Sequence, residues 1–441
     1  GYELVEKDLS AGDVIDKESP YHMKQAAIGE DTITKVVIPE GVTTIEQYAF
    51  AKLTALEEVV LPSTLNLIGL GAFQGCKKLT KINLENVQFI NERAFSECNL
   101  QDNLGYTEEY EPKAAKMVSI GNYAFENCKL ATVALPKTAQ SIGIGAFTKN
   151  TELVNVEFEA AKMKVGKGAF AGCTGLSSID INAAVISAFA FQGCTSLSEV
   201  RLGKDVSVIG EYAFANTEIA KFNLASANTY LQAKDGGKYI YKGTELIVAA
   251  PEVVGDGIGN TVTLPADTAS IATGAFSGNA ALFELTATGV TSVGDYAFSD
   301  CTNLKKVTLG KLKTIGAYAF ANTAITSTPD LSEAESIGKY AFALTKIAKV
   351  TLPGGVYADD YAFALNTELK EVEIGEGAVI GEAAFYSRLT DNSFEGTGKF
   401  NSDSYQTYEY EVKNETGATA KTYTYYSYNI KSGNVSALIS L

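Results

Sequence analysis

The sequence predicts a repeat solenoid, in which short coils of chain stack on one another and share a parallel β-sheet. Three observations support this. The pair Ala-Phe recurs about every 22 residues, a strand motif follows each pair at a constant distance, and the same phase runs through both halves of the chain. A fixed period of this length indicates stacked repeats rather than separate globular domains. The pair places its Phe at Phe50, Phe73, Phe95, Phe125, Phe147, Phe170, Phe191, Phe214, Phe276, Phe298, Phe320, Phe342, Phe363 and Phe385.

The strand motif is Leu-x-x-Val-x-Leu, often closed by Pro, as in Leu56 to Pro62 and Leu130 to Pro136. Its alternation predicts a strand with one buried face. Pro has no backbone N–H to donate to the sheet, so we expect each strand to end at the equivalent position of its coil. An aliphatic residue five positions before the Phe, usually followed by Gly, completes the unit. One unit cannot bury both its Leu face and its Phe, so the units must stack.

The segment from Leu197 to Leu202, together with Val208 to Phe214, closely resembles the repeat of the BspA-like family of leucine-rich-repeat bacterial surface proteins. The resemblance extends over about residues 33 to 388. It implies a leucine-rich-repeat right-handed superhelix with a parallel β-sheet along one face. It also implies location at the cell surface, adhesion or binding of host proteins, and no catalysis. It does not imply a particular ligand.

The pattern divides the chain into three parts. We expect an N-terminal cap over residues 1–32, the solenoid over 33–388, and a β-rich C-terminal cap or tail over 389–441. Turn signals between apolar runs predict a β-hairpin insertion at about 225–259. Seven Tyr between residues 405 and 428 alternate with polar residues and predict a further hairpin. Whether that hairpin caps the solenoid or binds a partner stays open, because Tyr suits both roles.

The six cysteines share one position, three residues after a repeat Phe. In other coils Asn or Thr takes that place, which indicates an internal column of small side chains that satisfy turn backbone groups. We therefore expect free buried thiols rather than disulfides or a metal site. The six are Cys76, Cys98, Cys128, Cys173, Cys194 and Cys301.

Composition argues against several functions. The net charge of −16 and the pI near 4.7 disfavour nucleic acid and acidic membrane surfaces. No apolar run approaches the roughly 20 residues of a spanning helix. The single histidine, His22, lies outside the repeats, which disfavours a nucleophile activated by His. A glycosidase needs only two carboxylates, but a narrow solenoid offers a shallow surface. We predict no enzymatic activity, no cofactor and no metal.

The two x positions around the central Val of each strand must point outward, which predicts a binding face on the sheet. This face is polar and lacks aromatic anchors. A row of Tyr directly before Ala-Phe, including four consecutive coils from Tyr296 to Tyr361, is either a packing spine or a ligand platform. The predicted binding face consists of Glu58, Lys81, Asn83, Asn155, Glu157, Asp180, Glu199, Arg201, Lys221, Asn223, Lys306, Thr308, Lys349, Thr351, Glu371 and Glu373.

The sequence thus favours a non-catalytic cell-surface binding protein, an adhesin for host or matrix proteins or for other cells. The alternative is a carbohydrate-recognition or scaffold component of a surface-associated complex, and an intracellular interaction scaffold comes third. The expected partner is an extracellular protein or polysaccharide, without nucleic acid or membrane insertion. The chain starts at Gly1 in polar sequence, so we expect a secreted or surface protein whose signal or lipoprotein anchor has been removed.

Overall fold

The computed structural model describes residues 3–4, 14–15, 33–101, 116–158, 162–251, 261–386, 405–413 and 419–428. The chain forms two compact units. Unit 1 comprises Gly1–Gly243 with Val248–Glu252, and unit 2 comprises Thr244–Ile247 with Val253–Leu441. Both are parallel β-solenoids, and the one helical segment within the described ranges is a 3-10 turn at Asp235–Gly237. His22 lies outside the described residues.

The Leu-x-x-Val-x-Leu segments form the strands that we call front strands, and they pair in parallel with the next coil. Their Val and final Leu are buried, as at Val200 and Leu202, while the residues between them face outward. In unit 1 the front strands are Glu3–Leu4, Lys35–Val37, Glu58–Val60, Lys81–Ile82, Thr132–Leu135, Asn155–Phe158, Ser178–Ile181, Glu199–Leu202 and Phe222–Leu224. In unit 2 they are Thr261–Thr263, Glu284–Ala287, Lys306–Leu309, Lys349–Leu352 and Glu371–Ile374.

A second row of parallel strands, the side strands, differs from the predicted single sheet. Most have two residues, and the second is the aliphatic residue five before the Phe, such as Ile315. So short a strand shows no alternation, so the sequence pattern did not reveal it. In unit 1 the side strands are Val14–Ile15, Thr44–Ile45, Leu67–Ile68, Phe89–Ile90, Ser119–Ile120, Ser141–Ile142, Lys164–Val165, Val185–Ile186 and Val208–Ile209. The strand Glu245–Ala249 has residues in both units. The other side strands of unit 2 are Ser270–Ile271, Ser292–Val293, Thr314–Ile315, Ser336–Ile337, Tyr357–Ala358 and Val379–Ile380.

Two antiparallel pairs accompany the parallel rows. Gln232–Lys234 pairs with Tyr239–Lys242 around the turn at Asp235–Gly237, which confirms the hairpin predicted there. Tyr405–Lys413 pairs with Thr419–Tyr428, which confirms the hairpin predicted in the C-terminal segment. The proposed role of that segment as a cap or a binding element stays a prediction.

Glycine after the side strand lets successive coils approach closely. A Cβ on Gly338 would lie 2.5 Å from the amide nitrogen of Ala317 in the preceding coil, well inside van der Waals contact. The Gly338 amide donates to the carbonyl of Ile315 at 2.8 Å. The recurring Gly of the sequence motif is therefore explained by coil spacing rather than by turn flexibility.

The turn that carries Ala-Phe adds further hydrogen bonds between coils. The amides of Tyr318, Phe320 and Asn322 donate to the carbonyls of Lys339, Ala341 and Ala343 of the next coil at 2.7–3.0 Å. Tyr318 and Asn322 have positive φ values of 55° and 56°, in the left-handed region. The amides between them, such as that of Ala321, donate within the turn. Alternate amides thus tie each turn to its neighbour.

The Phe rings stack through each unit. Adjacent ring centroids are 5.1–5.5 Å apart in unit 1 and 5.1–5.3 Å apart in unit 2, with nearly parallel planes. Phe320, for example, is fully buried and lies 5.1 Å from both Phe298 and Phe342. This stack is the centre of the core, as the repeat predicted.

All six cysteines are buried and free, as predicted from their shared position. Each thiol donates to the carbonyl of the Phe one coil earlier, at 3.0–3.2 Å, as Cys301 does to Phe276. Asn150 replaces Cys in one coil, and its Nδ2 donates to the Phe carbonyls of its own and the preceding coil. Burial raises the pKa of Cys128, Cys194 and Cys301 to about 12. The column therefore has a structural role.

Replacing Phe320 by Ala removes a ring that contacts both neighbouring coils and leaves a cavity. We expect the change to lower the unfolding free energy by about 3–5 kcal/mol, measured by urea denaturation. Thr308→Ala, at an exposed position of the same unit, is the control and should change that free energy by less than about 0.5 kcal/mol. A loss below about 1 kcal/mol for Phe320→Ala would contradict the buried stack.

We expect all six thiols to resist alkylation in the folded protein, because burial both shields them and raises the pKa of most of them. In denaturing urea all six should react, and mass spectrometry counts the adducts. The intact mass should correspond to six reduced cysteines. Rapid labelling of the native protein, or a mass lower by two hydrogens per pair, would show that the buried column is wrong.

Candidate binding face

The front strands place the predicted binding residues on an outward surface, which we call the front face. All sixteen are exposed except Glu371, which is half-buried. The front strands form four separate sheets, so these residues lie in four groups rather than in one continuous row. In unit 1 they belong to the sheet of strands from Glu3 to Ile82 and to the sheet from Thr132 to Leu224. In unit 2 they belong to the sheets that contain Lys306 and Lys349.

Parallel pairing sets residues of successive coils directly opposite each other, and in several places the charges are opposite. Arg201 lies opposite Asp180, with Nη1 and Oδ1 3.0 Å apart. Lys35 Nζ is 3.1 Å from Glu58 Oε1. Such cross-strand pairs are sensitive to salt because their side chains are exposed. The face therefore neutralises part of its own charge.

A network of charged side chains joins the front strands Lys349–Leu352 and Glu371–Ile374. Lys349 Nζ lies 2.9 Å from Glu371 Oε1 and 3.0 Å from Glu373 Oε1, and Thr351 Oγ1 donates to Glu373 Oε2 at 2.9 Å. The hydrogen bonds that Lys349 donates to Glu371 and Glu373 raise the pKa of Lys349. The hydrogen bond from Lys349, followed by that from Thr351, lowers the pKa of Glu373. The ion pairs therefore favour the charged forms of Lys349 and Glu373.

Lys221 and Lys306 differ from these paired cations. Both are exposed, and neither has an ion pair within 4.0 Å among the residues that the structure describes. Their ammonium groups are thus the cations of the front face that an incoming carboxylate meets without first displacing an internal partner. Sequence alternation identified their orientation. The register sets Glu284 opposite Lys306, but the two side chains do not come within 4.0 Å of each other.

The side strands carry a second outward surface in unit 2, which we call the side face. It has one row of hydroxyl side chains, Ser270, Ser292, Thr314 and Ser336, at equivalent positions of four consecutive side strands. Because the side strands were not predicted, the sequence analysis missed this row. Ser292 Oγ and Thr314 Oγ1 are 2.6 Å apart and share a hydrogen bond.

The predicted Tyr row lies four residues further along each coil, in the turn after the side strand, and we include it in the side face. Its rings stack, with centroids 4.7 Å apart between Tyr296 and Tyr318, 4.9 Å between Tyr318 and Tyr340, and 4.8 Å between Tyr340 and Tyr361. Tyr296 is 37% exposed and the other three are half-buried. The rings therefore support one another and still reach the surface.

The described ranges hold no group of three or more His, Cys, Asp or Glu side chains arranged to bind a metal ion. No helix in the described part of the chain is long and apolar enough to cross a bilayer.

The sequence and the fold were both found to resemble those of known proteins. The chain matches the BspA type leucine-rich repeat region in six copies, over residues 23–110, 118–235 and 269–392. A leucine-rich repeat protein from Bacteroides ovatus has a similar structure, with 22% identity and a TM-score of 0.53, over 83% of this chain and 91% of that one. No curated protein matches the chain.

Two further solved structures are less similar. A leucine rich cell surface protein from Faecalibacterium prausnitzii is 18% identical, with a TM-score of 0.45, over 78% of this chain and 82% of that one. A leucine-rich repeat protein from Eubacterium ventriosum is also 18% identical, with a TM-score of 0.37, over 83% of this chain and 86% of that one. The family match covers most of the sequence, and the Phe column and front strands agree with it. The chain therefore belongs to the BspA-type leucine-rich repeat family.

Proposed function

We propose that the chain is a non-catalytic binding protein of a bacterial cell surface, and that its front face holds an extended polypeptide of a host or matrix protein or of another cell. The observation that carries the proposal is the outward orientation of the polar residues on successive front strands, together with the cations Lys221 and Lys306, which form no ion pair among the described residues. Repeat proteins commonly bind partners along such extended surfaces. Membership of the BspA-type family supports a binding role at the surface.

The chemistry of the front face indicates what kind of partner it suits. The face carries both signs of charge and no aromatic anchor among the predicted residues. Interfaces usually draw most of their affinity from a few Trp, Tyr or Arg side chains. We therefore expect modest affinity for a polar, extended partner, and strong attachment only where many copies act together.

Reversing the charge of four front-face residues together, which we call the fourfold change, tests the front face. Replacing Arg201, Lys221, Lys306 and Lys349 by Glu should abolish binding to immobilised collagen, laminin or fibronectin, whichever the wild-type chain binds in a surface-plasmon assay. The double change Lys221→Glu/Lys306→Glu should account for most of the loss, because those two ammonium groups have no ion pair in the described structure. Arg201→Glu/Lys349→Glu should have the smaller effect, because both cations are already paired.

The matched control is Lys52→Glu/Lys242→Glu, which reverses two exposed cations outside the front strands. It should leave binding unchanged. If binding survives the fourfold change and disappears on deletion of residues 401–441, the C-terminal hairpin carries the activity and the front-face proposal is wrong. Surface location has its own test, since labelling of intact cells with a membrane-impermeant reagent should modify the protein.

A further inference from the structure

The side face of unit 2 repeats one chemistry over successive coils. Its first row consists of the side-strand hydroxyls, and its second row consists of the four stacked Tyr. In each coil the hydroxyl and the Tyr are separated by a buried aliphatic residue, a Gly and one further residue, which is Asp295, Ala317 or Lys339. We call the surface along the two rows the strip, and equivalent groups recur along it at the strand spacing of about 4.8 Å.

The Tyr row is not required by the backbone of the turn. Tyr318 and Tyr340 have φ values of 55° and 54°, in the left-handed region that disfavours most side chains. Gly71, Gly145 and Gly168 occupy the same position of other coils with φ values of 58–61°. Glycine would thus relieve backbone strain at each Tyr, so four consecutive Tyr at this position need a reason other than the turn itself.

Charge on the strip is largely engaged within the protein. Asp295 Oδ1 accepts a hydrogen bond from the Ala317 amide at 2.7 Å, and Lys339 Nζ lies 3.9 Å from Asp360 Oδ2. In unit 1 the corresponding side-strand positions are mixed. Thr44, Ser119 and Ser141 carry hydroxyls, but Leu67, Phe89, Lys164, Val185 and Val208 interrupt them. Within the described residues, the run of four consecutive hydroxyls is therefore a feature of unit 2.

We propose that this side face binds a neutral, extended polysaccharide that lies along the stacked coils of unit 2. Hydroxyl groups of Ser, Thr and Tyr both donate and accept hydrogen bonds, as do those of sugars, and the tyrosine rings add apolar contact. The recurrence of the same groups in each coil suits a polymer with a short repeat. A polyanion is disfavoured by the net charge of −16.

A protein partner fits this surface less well. The Tyr rings are stacked on one another, so they present mainly edges and hydroxyls, whereas protein hot spots insert into well-packed pockets. The proposals for the side face and the front face rest on different residues, so the failure of one does not contradict the other.

The test is native affinity electrophoresis of the full chain in gels that contain hydroxyethylcellulose, β-1,3-glucan, α-mannan or arabinoxylan. At least one of these neutral polymers should retard the wild-type chain, and hyaluronate, a polyanion, should not. Tyr318→Gly/Tyr340→Gly should weaken the apparent affinity by at least about tenfold, since it removes the middle of the aromatic row. Glycine is chosen because it occurs naturally at this position of the turn with the same φ.

Tyr48→Gly/Tyr123→Gly is the matched control, because it makes the same substitution at the same turn position in unit 1. It should leave retardation unchanged. Thr314→Val/Ser336→Ala removes two hydroxyls from the other row and should also weaken retardation, which gives an independent reading if the Tyr variant unfolds. The proposal is overturned if no neutral polymer retards the chain, if both unit 2 variants bind like the wild type, or if the Tyr variant loses a matrix protein instead.

Discussion

The spacing between successive coils is the constraint on which the structure depends. Every coil must lie close enough for backbone hydrogen bonds along the front strands, the side strands and the Ala-Phe turn. At that distance each buried side chain contacts its own equivalent in the next coil, so the sequence must repeat. The Phe stack, with centroids about 5 Å apart, follows directly from this requirement.

The same spacing between coils also limits which residue types fit at the other buried positions that repeat from coil to coil. The position three after the Phe faces a Phe carbonyl of the preceding coil, so it selects small donors such as Cys301 or Asn150. At the position after the side strand, a Cβ would lie inside van der Waals contact with the backbone of the preceding coil, so the position favours Gly, as at Gly338. In this protein, cysteine and glycine therefore allow the coils to pack closely, although in other proteins they often indicate redox chemistry or flexibility.

The exposed positions of each coil accept more residue types than the buried ones. Their chemistry differs between the front face and the side face. On the front face, equivalent positions carry charges of both signs, and neighbours such as Lys349 and Glu371 pair across coils. On the side face of unit 2, equivalent positions carry hydroxyls and stacked Tyr. Periodicity gives each surface a repeated chemistry, which suits an extended partner better than a compact ligand. The two proposals assign different partners to these faces on that ground.

The sequence by itself determined the solenoid, the Phe core, the buried thiols and the outward orientation of the front-face residues, because each depends on a period that can be counted. Only the tertiary structure decided the rest. The side strands are too short to show alternation, so the hydroxyl row at Ser292 and Thr314 appeared only when the coils were stacked. The pairing of Arg201 with Asp180 depends on a contact between residues one coil apart, which follows from register rather than from local sequence.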